Sequence, residues 1–217
     1  MNQIKALFWI SLVVKLILAK FLPMTNDEAY YWVWSQNMQL SFYDHPPMVA
    51  WLMWLGHKVA MLGGGVRWPG VLLAHAALAI WLRILAPYLT ERQLKAWLWL
   101  AILSPLVGGS AILVTPDLPL MFFFALALWV FIRWQSSPNW LWSLLLGLAM
   151  GLGFTAKYMM VLFALALLPV VLTQAKSRAT FVRMLPLILI GGIVGTAPVW
   201  LWNFTTRMRE RLWLGSP

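Results

Sequence analysis

Cysteine is absent from the chain, which excludes disulfide frameworks, zinc–thiolate sites and thiol nucleophiles. Charge is scarce too: 10% of the 217 residues are charged, where soluble domains carry about 25%. Carboxylates are the rarest group, six Asp and Glu beside sixteen Lys and Arg. So little charge cannot clothe a soluble globule of this size. What fills the chain is apolar, 62% hydrophobic with 16 Trp and 11 Phe, and this excludes intrinsic disorder, which depends on a poverty of such residues. The composition predicts an integral membrane protein. A bilayer core of about 30 Å takes roughly 20 apolar residues per helix, leaving room for about six to eight spans and no separate soluble domain.

The formal charge of +10 does not point to nucleic acid, because Lys and Arg stand singly at the ends of apolar runs instead of forming a stripe. The first run is interrupted by Lys15 and Lys20 with no small-residue cleavage site after it, so it reads as a retained span and not a signal peptide. Apolar runs lie at about 4–23, 46–62, 67–87, 96–114, 117–134, 139–155, 158–174 and 184–203. The second opens with Pro46-Pro47, carries His57 and Lys58, and ends at Gly63-Gly64-Gly65, which predicts a segment lying along the membrane surface. About seven crossings then remain. With that assignment Lys5, Arg92, Lys95, Arg133, Lys176, Arg178 and Arg183 share one side, the cytoplasmic one by the positive-inside tendency. Asp27, Glu28, Asp44, Asp117 and Lys157 share the other. Residues 29–39 have the mixed polarity and aromatic content of a helix in the interface. Gly147 and Gly151, with Gly191 and Gly195, have the four-residue spacing of close helix packing.

Four stretches carry candidate chemistry. Thr25-Asn-Asp27-Glu28 reads equally as a capping box and as a pair of carboxylates available for proton transfer or metal binding. Tyr43-Asp44-His45-Pro-Pro sets an oxygen ligand beside an imidazole on a stiff backbone, half a divalent-cation site or a polar turn. Asp117, in Thr115-Pro-Asp-Leu-Pro119, either caps the next helix or faces a cavity. Lys157, between apolar neighbours, either snorkels or holds a phosphate. His57 and His75 read as hydrogen-bonded helix residues.

These motifs carry a family resemblance. Thr-Asn-Asp27-Glu28-Ala-Tyr-Tyr-Trp, Tyr-Asp44-His45-Pro-Pro, Arg67-Trp-Pro, Thr-Pro-Asp117-Leu-Pro-Leu and Ala-Lys157-Tyr158, in this order over residues 1–203, resemble bacterial glycosyltransferases of the protein mannosyltransferase type and related lipid A aminoarabinose transferases. The resemblance implies a GT-C-like, all-α integral membrane fold: about seven transmembrane helices, juxtamembrane amphipathic helices in a first outer loop at 24–66, and a module ending near 203. It implies catalytic roles for Asp27, Glu28 and Asp117, donor-phosphate binding by Lys157 and His45, and a divalent cation at Asp44 and His45. It further implies a lipid-linked sugar donor, a lipid or protein acceptor, and a multi-pass protein of the bacterial inner membrane with its site facing the periplasm. Relatives continue beyond the position of Asn203, so the basic segment 204–217 is expected to mark a truncation. The rival expectations are an inactive membrane scaffold and a transporter or flippase. The latter would show midplane charges on broken helices and inverted repeats, neither of which is visible in the sequence.

Overall fold

Apolar chain in a bilayer must satisfy its backbone internally, which makes helices the form open to runs of this kind. The computed structural model describes residues 2–173 and 175–214, with side chains at 175–177 and 207–214 outside the described set. Among the described residues there is no strand. The α-helices are α1 (Asn2–Phe21), α2 (Asn26–Gln36), α3 (Met48–Met61), α4 (Trp68–Leu85), α5 (Glu91–Leu103), α6 (Asp117–Ser136), α7 (Trp140–Ala156), α8 (Val161–Thr173) and α9 (Ala175–Leu214). The expected tail at 204–217 falls mostly outside the described side chains.

By length and composition α4, α6 and the stretch Arg178–Thr206 of α9 can each cross a membrane. Two bent pairs, α1 with α2 and α5 with the turns after it, raise the number to five. Length and composition thus support three to five of the seven crossings expected; α7 and α8 are apolar but have 17 and 13 residues, about 25 and 20 Å of helix against a core of about 30 Å. The run expected at 96–114 is also not one helix. It bends by 63° after Leu103, because Pro105 cannot donate to the helical ladder and the Ser104 hydroxyl instead accepts from Val107 N at 3.3 Å. Short helical turns, Pro105–Gly109 and Ser110–Ile112, follow. The run at 46–62 forms α3, 14 residues long, and α1 meets α2 at 80°.

The described chain divides into two compact units, Met1–Met38 with Val49–Leu126, and Gln39–Met48 with Ala127–Pro217. In the first, α1 and α4 run antiparallel. Ile4 packs with Leu78 near one end, and Ala19 with Val71 at the other, where Trp68 Nε1 donates to Leu16 O at 3.0 Å. α5 joins at the start of α1, with Lys95 Nζ donating to Gln3 Oε1 at 2.8 Å. Lys5, Arg92 and Lys95 thus share one end of this unit. Val49 and Met53 of α3 are fully buried against Tyr31 and Val114, so α3 is part of the packed unit.

In the second unit α7 and α9 run parallel, with Gly147 against Gly191 and Gly151 against Gly195. A Cβ at Gly195 would lie 2.7 Å from Leu152 N and 2.8 Å from Gly151 Cα, closer than such atoms approach. The four glycines are there because the backbones touch. Trp134, 1% exposed, donates from Nε1 to Ser143 Oγ at 3.0 Å and holds α6 to α7.

Candidate active site

The first unit gathers three of the expected residues at the end where α1 stops and α4 and α6 begin. Thr25 caps α2 through a complete capping box: its hydroxyl accepts from Glu28 N at 3.3 Å, and its backbone N donates to Glu28 Oε2 at 3.0 Å. The same carboxylate meets Arg67, at the start of α4, through Nε to Oε1 at 2.6 Å and Nη2 to Oε2 at 2.7 Å. Val114 N donates to Oε1 at 3.0 Å and Thr25 Oγ1 to Oε2 at 3.1 Å. Glu28 is 0% exposed and Arg67 2%.

Arg67 spends its remaining donors on backbone carbonyls. Nη1 donates to Ala19 O at 3.2 Å and Leu22 O at 2.7 Å, and Nη2 to Pro23 O at 2.7 Å. These carbonyls belong to the last turn of α1 and the α1–α2 corner, where a helix leaves its acceptors unmatched. Burial works to raise the Glu28 carboxyl, but the Arg67 hydrogen bonds, the Thr25 and Val114 N–H groups and the Arg67 charge outweigh it, leaving the group below its ordinary value of 4.5. α2, 11 residues long and turned away from α1, is itself too short to span.

Asp27 is the contrast. It is exposed, and among the described residues its side chain has no hydrogen bond or ion pair. Asp117, in the first turn of α6, is also exposed. Tyr31, one turn after Asp27 and 8% exposed, feels both: burial first, then the negative charges of Asp27 and Asp117, push its phenol up. An apolar cavity of about 490 Å³ lies between α4, α5 and α6, lined by residues including Leu78, Trp81, Leu100, Ser104, Leu118 and Met121. Leu118 is the neighbour of Asp117.

The second unit holds the other three. Lys157 ends α7 in extended conformation, its N–H on Gly153 O at 3.0 Å, half-buried beside exposed Tyr158. A hollow of about 640 Å³ opens there, lined by residues including Phe154, Tyr158, Val199, Trp200, Asn203 and Phe204. The Gln39–Met48 segment is fastened at the same end of this unit, where Trp202 Nε1 donates to Gln39 Oε1 at 2.8 Å. Asp44 in it is exposed and His45 half-buried, on the buried prolines Pro46 and Pro47. The described residues contain no gathering of three or more His, Asp or Glu. Asp44 and His45 are one oxygen and one imidazole ligand type side by side, two of the ligands a divalent cation takes, so that substrate oxygens and waters would have to supply the rest.

His75 is hydrogen-bonded as expected, to Val71 O at 3.1 Å and Ser11 Oγ at 3.2 Å, and His57 stacks edge-on to Trp32. Arg67 has no place among the expected site residues, although the sequence carries a signal: an arginine at the start of an apolar helix opposes the helix dipole and needs an acid nearby.

Exposed carboxylates at the starts of α2 and α6, beside an apolar cavity in a helical chain with three to five candidate membrane spans, agree with the GT-C-like multi-pass fold that the motif resemblance implies. Residues 44–202 match the family described as dolichyl-phosphate-mannose-protein mannosyltransferase, and the chain belongs to that family. The lipid A galacturonosyltransferase RgtD of Rhizobium johnstonii is 30% identical over 187 residues, covering 82% of this chain and 38% of the relative. The chain thus spans less than half the length of that curated relative. No solved structure matches.

Proposed function

We propose that this chain carries the reaction site of a glycosyltransferase that moves a sugar from a polyprenyl-phosphate donor to a lipid or protein acceptor at the periplasmic face of the bacterial inner membrane. Asp27 is the base that takes the proton of the acceptor hydroxyl as it attacks the anomeric carbon. Asp117 orients that hydroxyl. Lys157 and His45 take the donor-phosphate role that the motif resemblance implies, offsetting the charge of the departing lipid phosphate. Asp44 and His45 would hold a divalent cation, which when bound supplies further charge to the phosphate. The apolar cavity beside Leu118 offers room for part of a prenyl chain.

One observation carries the reading: of two adjacent acids, Asp27 is exposed with its carboxylate unengaged, at the same end of its unit as Asp117. Family membership supports sugar transfer, and the galacturonosyltransferase relative supports lipid A as one acceptor. The test is transfer from a polyprenyl-phosphate sugar in membranes by the wild type, Asp27→Asn and Lys157→Ala. Asp27→Asn should lose about 10²- to 10⁴-fold, the range for a general base, and Lys157→Ala should lose activity as well. Equal turnover in all three rejects the site. No transfer by the wild type leaves the scaffold reading, and lipid flux in proteoliposomes would favour a flippase.

A further inference from the structure

We infer that Glu28 and Arg67 form a positioning clamp and take no part in proton transfer: the pair fixes Asp27 against the Asp117 turn. The inference rests on the proposed function for its catalytic meaning and on geometry for its substance. A guanidinium has five N–H donors, and an ionised carboxylate has about four lone-pair sites on two oxygens. Arg67 makes five bonds, two to Glu28 and three to Ala19 O, Leu22 O and Pro23 O. Glu28 accepts five, from Arg67 twice, Thr25 twice and Val114. Neither group has capacity left for a substrate hydroxyl, a phosphate or a cation.

The bonded partners lie in four separate stretches: the end of α1, the corner before α2, the start of α4 and the turn before α6. Asp27 is attached to the clamp through Glu28 and Asp117 through Val114, three residues away. With Arg67 and Glu28 joined, the first turn of α2 and the first turn of α6 are held in one register. Without Arg67, Glu28 keeps its bond from Val114 N but loses the fork that fixes its carboxylate and its tie to the end of α1. The link between the two turns is then free to shift in a way that the full set of directed hydrogen bonds does not permit. A reacting pair must hold its geometry closely for proton transfer to be efficient.

The chain has no native cysteine, so spin labels can be attached at Asn26→Cys and Met121→Cys without a background signal, leaving both carboxylates in place. In the otherwise wild-type full chain we expect one narrow interlabel distance distribution. In Arg67→Lys, which keeps the charge but loses the fork, and in Glu28→Gln, we expect a broadened or second population. In the transfer assay kcat/KM should fall about tenfold or more in both, while the acid limb of its pH profile stays where the wild type has it, because the titrating base is still Asp27. Unchanged distance distributions in both variants overturn the clamp. Disappearance of the acid limb in Glu28→Gln also overturns it, since Glu28 would then be the base. If the wild type transfers no sugar, the proposed function fails, and the distance measurement still decides the clamp.

Discussion

Removing one partner of the Arg67–Glu28 pair should be among the most damaging single changes available to this chain. Arg67→Met leaves the Glu28 carboxylate 0% exposed with only the Thr25 and Val114 bonds, and strips Ala19, Leu22 and Pro23 of a donor. Breaking a buried ion pair in this one-sided way costs about 3–5 kcal/mol. At 1.36 kcal/mol per tenfold that is roughly a 160- to 5,000-fold shift toward the unfolded state. Glu28→Gln leaves the guanidinium buried without its counter-charge and should fall in the lower part of that range. The double variant removes both charges together, so its loss should be smaller than the sum of the singles by about 2 kcal/mol, a coupling of the size that contacting residues show. It should not return to wild type, because three carbonyls still lose their donor and the Glu28→Gln side chain offers one acceptor oxygen where Glu28 offers two.

The measurement is tryptophan emission during SDS titration of the protein in mixed micelles, which its 16 Trp make sensitive. Acid should act through the same group. The folded Glu28 carboxyl lies below its ordinary value, so its stabilisation is complete above that value and disappears as pH falls through the lower folded one. The gap in stability between the wild type and Glu28→Gln should therefore narrow as pH falls below the ordinary carboxyl value and close only below the lower folded one. A cost under about 1 kcal/mol for Arg67→Met, strict additivity, or a gap that persists in acid would refute the reasoning.

Two further outcomes concern the packing of α7 on α9 and the expected cation. Gly195→Leu drives a side chain into Leu152 N and the Gly151 backbone and should cost about 1–3 kcal/mol or more by overpacking. Gly109→Ala, with open space at that position, should behave as wild type, and equal stability of the two would remove the close-packing account. Asp44→Asn should lose about 10- to 100-fold in transfer if the residue helps hold a cation, and chelation should reproduce the loss in the wild type while adding little in the variant. Insensitivity of the wild type to chelation, with a fully active Asp44→Asn, would remove the cation.

Helical class and the positions of the runs were legible because each run is long and apolar and its ends carry caps or breakers. Thr25 and Thr90 begin α2 and α5 with full capping boxes, and Asn139 caps α7. The break at Ser104–Pro105 was hidden by its setting. Pro105 sits inside an apolar stretch that hydropathy alone reads as continuous, and a helix can either kink at proline or end there. Of the seven crossings expected, three to five are supported by length and composition. Hydropathy finds apolar stretches whether or not their helices are long enough to span, and α7 and α8, parted at the extended Lys157, have 17 and 13 residues. Asp27 and Glu28 could be flagged as a pair but not told apart. What separates them is Arg67, 39 residues on, and Val114, 86 residues on, and no local pattern encodes that convergence.

The capping reading of Thr25-Asn-Asp-Glu28 and the proposed catalytic reading therefore do not compete, because each concerns a different residue. Successive positions on an α-helix point about 100° apart, so two neighbouring acids cannot face the same surroundings. The capping box requires its acid at the third helical position, and this turns Glu28 inward toward the α1 corner, where a buried carboxylate is tolerable only with a cation and hydrogen bonds to meet it. Arg67 and Val114 N meet it. The same rotation turns Asp27 outward, exposed at the end of the unit where Asp117 is also exposed, which is the position the proposed function asks of an acceptor-facing acid. The shared motif thus divides into one acid that builds the helix start and one that the helix start presents.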